Sequence, residues 1–245
     1  MLVLLPPSET KAIGGTGAPL DHAVLSCPEL NPVRDKIASA LVELADDLPA
    51  SLAALDLSER QADEVVRNQE LRHSPTLPAL ARYTGVLYDS LDLPSLKKGE
   101  RDRAYRRLAI ASALFGVVRG GDPIPAYRLS GGSVLPSIGS LTALWRPALE
   151  PVLHTIDDFV VDLRSGAYAT LAKIPDAVVV RVVSEDGRGV RKAVSHFNKA
   201  HKGLLARALS TSRAEPGNIP GLIKVARTAG LRMEKTGDRA VDLFT

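Results

Sequence analysis

Short apolar runs constrain this chain more than any other feature. Residues 2–5, 108–118, 159–163 and 177–183 are dense in Leu, Val and Ile, and each is bounded by turn or charged residues. Such runs are too short for buried helices and read as strands covered on both faces. The first, Leu2 to Leu5, is stopped by Pro6 and Pro7, which cannot continue a ladder. Between the runs the spacing turns helical. Val33, Ile37, Ala40, Leu41 and Leu44 repeat at three- and four-residue steps after Pro32, with Pro49 expected to end that helix. A second helix is predicted behind Ser58 as its cap, and residues 74–78, with two prolines, read as a linker.

The later part of the chain repeats the alternation. Residues 141–154 have helical spacing around Trp145, interrupted by Pro147 and Pro151. The run 177–183 meets Glu185-Asp186-Gly187, so residues 190–194 are expected back as an antiparallel partner. A helix over 195–209, another over 219–229 and a hairpin around Thr236-Gly237-Asp238 complete the order. The simplest packing is an α/β (α+β) fold, a mixed sheet with β-hairpins surrounded by helices, in a single domain over 1–245. A chain of this length buries roughly three quarters of its unfolded surface without staples.

Several function classes are excluded at this level. No apolar run reaches the ~18 residues of a membrane span, and the first residues lack a signal peptide's basic start and cleavage site. A cytoplasmic protein is expected. Cys27 is the sole cysteine, so an intramolecular disulfide and a thiolate metal cluster are out. His196 and His201 are five apart and diverge on a helix, Glu70-Leu71-Arg72-His73 has no second copy, and Gly14-Gly15-Thr16-Gly17 lacks a P-loop ending. No Gly-x-Ser-x-Gly elbow occurs. No catalytic residue, metal or cofactor is predicted.

The net charge is +3, but its distribution is uneven. Residues 187–214 contain no Asp or Glu and carry Arg188, Arg191, Lys192, Lys199, Lys202, Arg207 and Arg213. Such a block is either a phosphate-facing surface or a solvated helix face.

Four segments together resemble the YaaA family of bacterial peroxide-stress proteins. The first is the turn Pro6-Pro7-Ser8-Glu9-Thr10-Lys11; the most specific is Leu114-Phe115-Gly116-Val117-Val118-Arg119, then Asp122, then Tyr127-Arg128-Leu129. Ser165-Gly166-Ala167-Tyr168 is similar to the family's Ser-x-Glu-Tyr turn, and Ser195-His196-Phe197-Asn198-Lys199-Ala200-His201-Lys202-Gly203 to a basic helix start. The chain departs from the family at Glu9, where Lys is common, at Ala167, which replaces Glu, and at Ala200 and Lys202, which replace Lys and Arg.

The resemblance implies a fold peculiar to the family, duplex or branched DNA binding through a basic cleft with a helix-hairpin-helix-like element, and a part in limiting iron-dependent oxidative damage. On that expectation Arg119, Arg128, Lys192, Lys199, Lys202 and Arg207 face phosphates, and Gly221 in Ile219-Pro220-Gly221-Leu222-Ile223 offers a backbone amide. Lys199 and Lys202, three apart, would share one helix face. The competing expectation is an enzyme or binding pocket for a small nucleotide-like anion, built from Ser8, Thr10, Lys11, Tyr127, Arg128 and Lys199 at element ends. A deep cleft gathering those side chains favours the pocket, and a broad basic groove favours DNA.

Overall fold

The computed structural model describes residues 1–164, 166–193 and 198–245. Eight strands form the main sheet: β1 (Leu2–Leu5), β2 (Leu108–Ser112), β3 (Gly116–Arg119), β4 (Val160–Asp162), β5 (Val178–Glu185), β6 (Arg191–Ala193), β7 (Met233–Gly237) and β8 (Ala240–Phe244). Their order is β7-β8-β5-β4-β1-β2-β3, with β6 paired to the far end of β5. β2, β1, β4, β5 and β8 run parallel, while β3, β6 and β7 are antiparallel hairpin partners. This is the mixed α/β arrangement the apolar runs call for. β1 lies near the middle, and Leu2, Val3, Leu4 and Leu5 are all buried.

Helices cover the sheet. The Asn198–Thr211 helix packs on Val86–Leu91 and Lys98–Arg107 and reaches β5, and Lys98–Arg107 lies on β1 and β2. Leu141–His154 packs against β3 and keeps Pro147 and Pro151 inside it.

Four local expectations need correction. The run 108–118 is two strands, because Gly116 takes φ +72° and turns the chain back on itself. A Cβ there would lie 2.7 Å from the Trp145 ring, whose Nε1 donates to the Ala113 carbonyl at 2.8 Å. Burial on every side hides a hairpin from hydropathy. Residues 75–78 are not a linker but the strand Pro75–Pro78, central in a three-stranded sheet with Gly17–Pro19 and Pro123–Ile124. The two prolines stand at its ends, where the missing N–H costs least. Pro49 does not end the first helix. Asn31–Leu44 stops before it, and Pro49 sits in the first turn of Leu48–Leu55, capped by Asp47 accepting from the Ala50 amide at 3.0 Å.

The Asp-Gly turn is longer than two residues. Asp186 accepts from the amides of Arg188 and Val190, both at 2.9 Å, and Gly189 takes φ +79°, so residues 187–189 form the loop before β6. Val194, the end of the predicted return strand, and residues 195–197, the start of the predicted helix, lie outside the described residues.

Many arginines hold backbone carbonyls. Arg34, fully buried, donates from Nε to Phe115 O at 3.0 Å and from Nη2 to Val117 O at 2.9 Å and Ser26 O at 2.7 Å. Arg82, also fully buried, ties Ile124 O, Ala12 O and Pro75 O together. Arg103 and Arg107 donate to Ser210, Thr211, Leu209 and Ser212 carbonyls at the end of the Asn198–Thr211 helix, where four carbonyls lack helical partners.

Gly203 sets how closely Asn198–Thr211 approaches Val86–Leu91, since a Cβ at that position would overlap the Leu87 carbonyl and press on Ser90. Gly203→Ala should therefore destabilise the protein by about 2 kcal/mol, as overpacking at a rigid contact does. Urea unfolding checks this, with an unchanged midpoint as the contrary result.

Candidate functional site

The chain leaves β1 toward β2 on one side, whereas the connection after β3 crosses to β4 on the other side and continues outward to β5. Loops leaving β1 and β4 thus part at their carboxyl ends. In open α/β sheets such a switch point is where ligands enter.

Here the turn after β1 meets the start of the Asn198–Thr211 helix. A cavity of about 280 Å³ lies there, lined by Pro6, Pro7, Ser8, Glu9, Thr10, residues 85–88 and Lys199. The Ser8 and Thr10 hydroxyls are 3.2 Å apart, and Thr84 Oγ1 donates to Thr10 Oγ1 at 3.1 Å. Gly85, at φ +96°, lets the backbone pass close, because a Cβ there would stand 3.3 Å from Ser8 Oγ. Lys199 is exposed at the rim.

Glu9 also lines a second cavity, of about 460 Å³, with Asp56, Arg128, Ser130, Gly132 and Ser133 among its walls. Arg128 is set in place by Asn68, whose Oδ1 accepts from the Arg128 amide at 2.7 Å while its Nδ2 donates to the Arg128 carbonyl at 2.9 Å. The Arg128 guanidinium stands 3.5 Å from Glu9 Oε2. Neither Arg128 Nε nor Glu9 Oε2, both buried atoms, has a hydrogen-bond partner.

Beneath these two residues lies a buried polar floor. Lys11 Nζ donates to Ser8 O at 3.1 Å and Glu9 O at 3.3 Å and lies 4.2 Å from the Tyr127 ring centre. The Tyr127 hydroxyl contacts those of Tyr83 and Ser112, each at 2.8 Å. Burial pushes the Lys11 amine down to about 7, against the opposing charge of Glu9. The same cause drives Tyr83 up to about 12 and Tyr127 well above its ordinary value.

The predicted pocket residues Ser8, Thr10, Lys11, Tyr127, Arg128 and Lys199 thus gather at one end of the sheet, with Ser8, Thr10 and Lys199 on one cavity, Arg128 on its neighbour, and Lys11 and Tyr127 below. Glu9 and Tyr83 were missed. The family comparison marked Glu9 only as a departure, although its place in the turn after β1 was a usable signal. Tyr168 also belongs here, its hydroxyl accepting from the Gly131 amide at 3.0 Å. Ser165 of the same turn lies outside the described residues.

The residues assigned to DNA do not gather in this way. Lys202 is 3% exposed, so it does not share an outward face with Lys199. Its Nζ points to the Arg164 carbonyl at 3.5 Å, and burial lowers its pKa to about 8 against the pull of Asp162. Arg207 donates to Leu91 O, Asp92 O and Ser95 Oγ, closing the end of Val86–Leu91. Arg119 pairs in register with Ala109, toward the start of β2, and donates to Arg106 O at 3.1 Å, at the opposite end of the sheet. The Gly221 amide donates to the Asn218 cap at 2.8 Å beside a cavity of about 650 Å³ that Arg213 and Lys224 also line. Lys192 is exposed on β6. Among the described residues no group of three or more His, Cys, Asp or Glu side chains could hold a metal ion, and no helix is long and apolar enough to cross a membrane.

The fold is a mixed α/β sheet whose strand order switches beside β1, with a polar crevice at the carboxyl end there. The model of the peroxide stress protein YaaA family matches residues 1–236. UPF0246 protein CE1889 of Corynebacterium efficiens is 50% identical over 238 residues, covering 96% of this chain and 95% of that one. UPF0246 protein SCO2297 of Streptomyces coelicolor is 44% identical over 239 residues, covering 96% and 92%. The chain belongs to the peroxide stress protein YaaA family, and a part in the response to peroxide stress comes with it.

Lys11 gives the site a pH signature. In the unfolded chain its amine keeps the ordinary value of 10.5, while burial in the folded protein lowers it to about 7. Unfolding then takes up a proton across that interval, so stability rises with pH between about 7 and 10.5. Urea midpoints measured at intervals from neutral pH to pH 9 should climb, and Lys11→Met should flatten the climb; an identical slope in the variant would refute the assignment.

Proposed function

We propose that this peroxide-stress protein binds a nucleotide-like anion in the crevice at the carboxyl end of β1. One observation carries the reading: Ser8, Thr10 and Lys199 line one cavity of about 280 Å³ whose other walls include Pro6, Pro7, Val86, Leu87 and Tyr88. Hydroxyls and an ammonium suit a phosphoryl group, and flanking apolar walls suit a planar ring. Pockets that bind small ligands have this make-up, mostly apolar with a few convergent polar groups.

Duplex or branched DNA is the second reading. It is favoured by Arg188 and Lys192, exposed on the hairpin at the carboxyl end of β5, the same end of the sheet as Lys199. Phosphate contacts there would bind without sequence preference and weaken steeply with salt.

Thermal shift against nucleosides, nucleotides and inorganic phosphate separates the two. A pocket ligand stabilises in proportion to the logarithm of its concentration, and Lys199→Ala should weaken nucleotide binding about tenfold, as loss of one charge-assisted contact does. No shift with any of these compounds, together with salt-sensitive binding to linear or four-way-junction DNA, would replace the first reading by the second.

A further inference from the structure

Resting on the nucleotide reading of the crevice, we infer that Glu9 and Arg128 together read the ring of the ligand and select a base with a donor-donor-acceptor edge, as guanine has. The inference starts from a mismatch in their geometry. A carboxylate and a guanidinium held side by side ordinarily close into short, forked hydrogen bonds. Here the nearest approach is 3.5 Å, and each group keeps a buried atom without a partner, Oε2 on Glu9 and Nε on Arg128. A buried polar atom without a partner is costly and is resolved when a partner arrives.

The two side chains are not loose for want of support. Asn68, 1% exposed, grips the Arg128 backbone from both sides, and the carbonyls of Ser8 and Glu9 accept from Lys11. The backbones are fixed while the charged ends stay incompletely paired. That arrangement presents two acceptors beside a donor. Its complement is a ring edge carrying two adjacent N–H groups beside a carbonyl, the N1, N2 and O6 atoms of guanine.

The placement of charge orients such a ligand. The larger cavity holds two carboxylates, Glu9 and Asp56, against the single guanidinium of Arg128, which repels a phosphoryl group and welcomes N–H donors. The smaller cavity offers Ser8, Thr10 and Lys199. Glu9 stands in the wall of both. The ring edge therefore meets Glu9 and Arg128, and the phosphoryl group lies toward Lys199.

The test compares guanosine monophosphate, its N1-methyl derivative and adenosine monophosphate on the unaltered full chain by calorimetry. Binding of guanosine monophosphate at least about tenfold tighter than either of the other two is expected, the size of one bidentate edge contact. Glu9→Gln, which puts an N–H where an acceptor stood, should erase the preference for guanosine monophosphate over adenosine monophosphate, and a preference kept in the variant overturns the assignment to Glu9. Equal affinity for all three overturns the assignment to Glu9 and Arg128 while leaving the nucleotide site standing. Absence of binding by any of them overturns the nucleotide reading, and this inference with it.

Discussion

Two guanidinium groups without solvent exposure tie backbone segments together, and one of them, Arg82, holds the loops from which the site is made. Arg82 gathers the carbonyls of Ala12, Pro75 and Ile124, tying the segment after β1 to two paired strands of the three-stranded sheet. Arg34 does the same for Ser26, Phe115 and Val117, fixing the turn between β2 and β3. Burial lowers the pKa of both, that of Arg82 to about 10, yet both stay charged at neutral pH. A charged donor to a carbonyl is stronger than a neutral one, and each carbonyl would otherwise be a buried acceptor without a partner. The turn carrying Glu9 and Lys11 and the loop carrying Tyr127 and Arg128 depend on Arg82 for their mutual position, because Ala12 and Ile124 lie at their edges.

That constraint changes what the positive charge of the chain means. Arg34, Arg82, Arg103, Arg107 and Arg207 all donate to backbone carbonyls. Counting Lys and Arg in sequence treats every cation as surface, and these five are structural. Arg191 and Arg232 are engaged as well, with Glu185 and Glu234 around the Phe244 ring. Arg191 and Arg207 of the acid-free stretch thus meet carboxylates from other parts of the chain, which no local window reveals.

What was legible followed from local rules. Leu2 to Leu5 and the runs around 160 and 180 are strands because continuous apolar character at that length admits little else. The residues gathered at the crevice were legible from their position after β1 and between glycine turns, since loops at strand ends carry function. The hairpin inside 108–118 was not legible, because both its strands and its turn are buried and only the φ +72° of Gly116, set against Trp145, marks the reversal. Lys202 was misplaced for a related reason. Helical spacing groups it with Lys199, but Asp162 and the Arg164 carbonyl supply a polar niche inside the protein that periodicity cannot see.

The floor of the crevice carries the remaining argument. A Met or Leu in place of Lys11 would fill the same space against Tyr83 and Tyr127 without the desolvation that takes its amine to about 7. A buried amine with so perturbed a titration marks a candidate functional position. Lys11 holds the carbonyls of Ser8 and Glu9, so the hydroxyl on one side of the turn and the carboxylate on the next residue are set from below by a single amine. Near neutral pH that amine gains or loses its charge, which strengthens or weakens its grip on both carbonyls. The geometry of the turn after β1 is thereby coupled to protonation at the one place where both cavities share a wall.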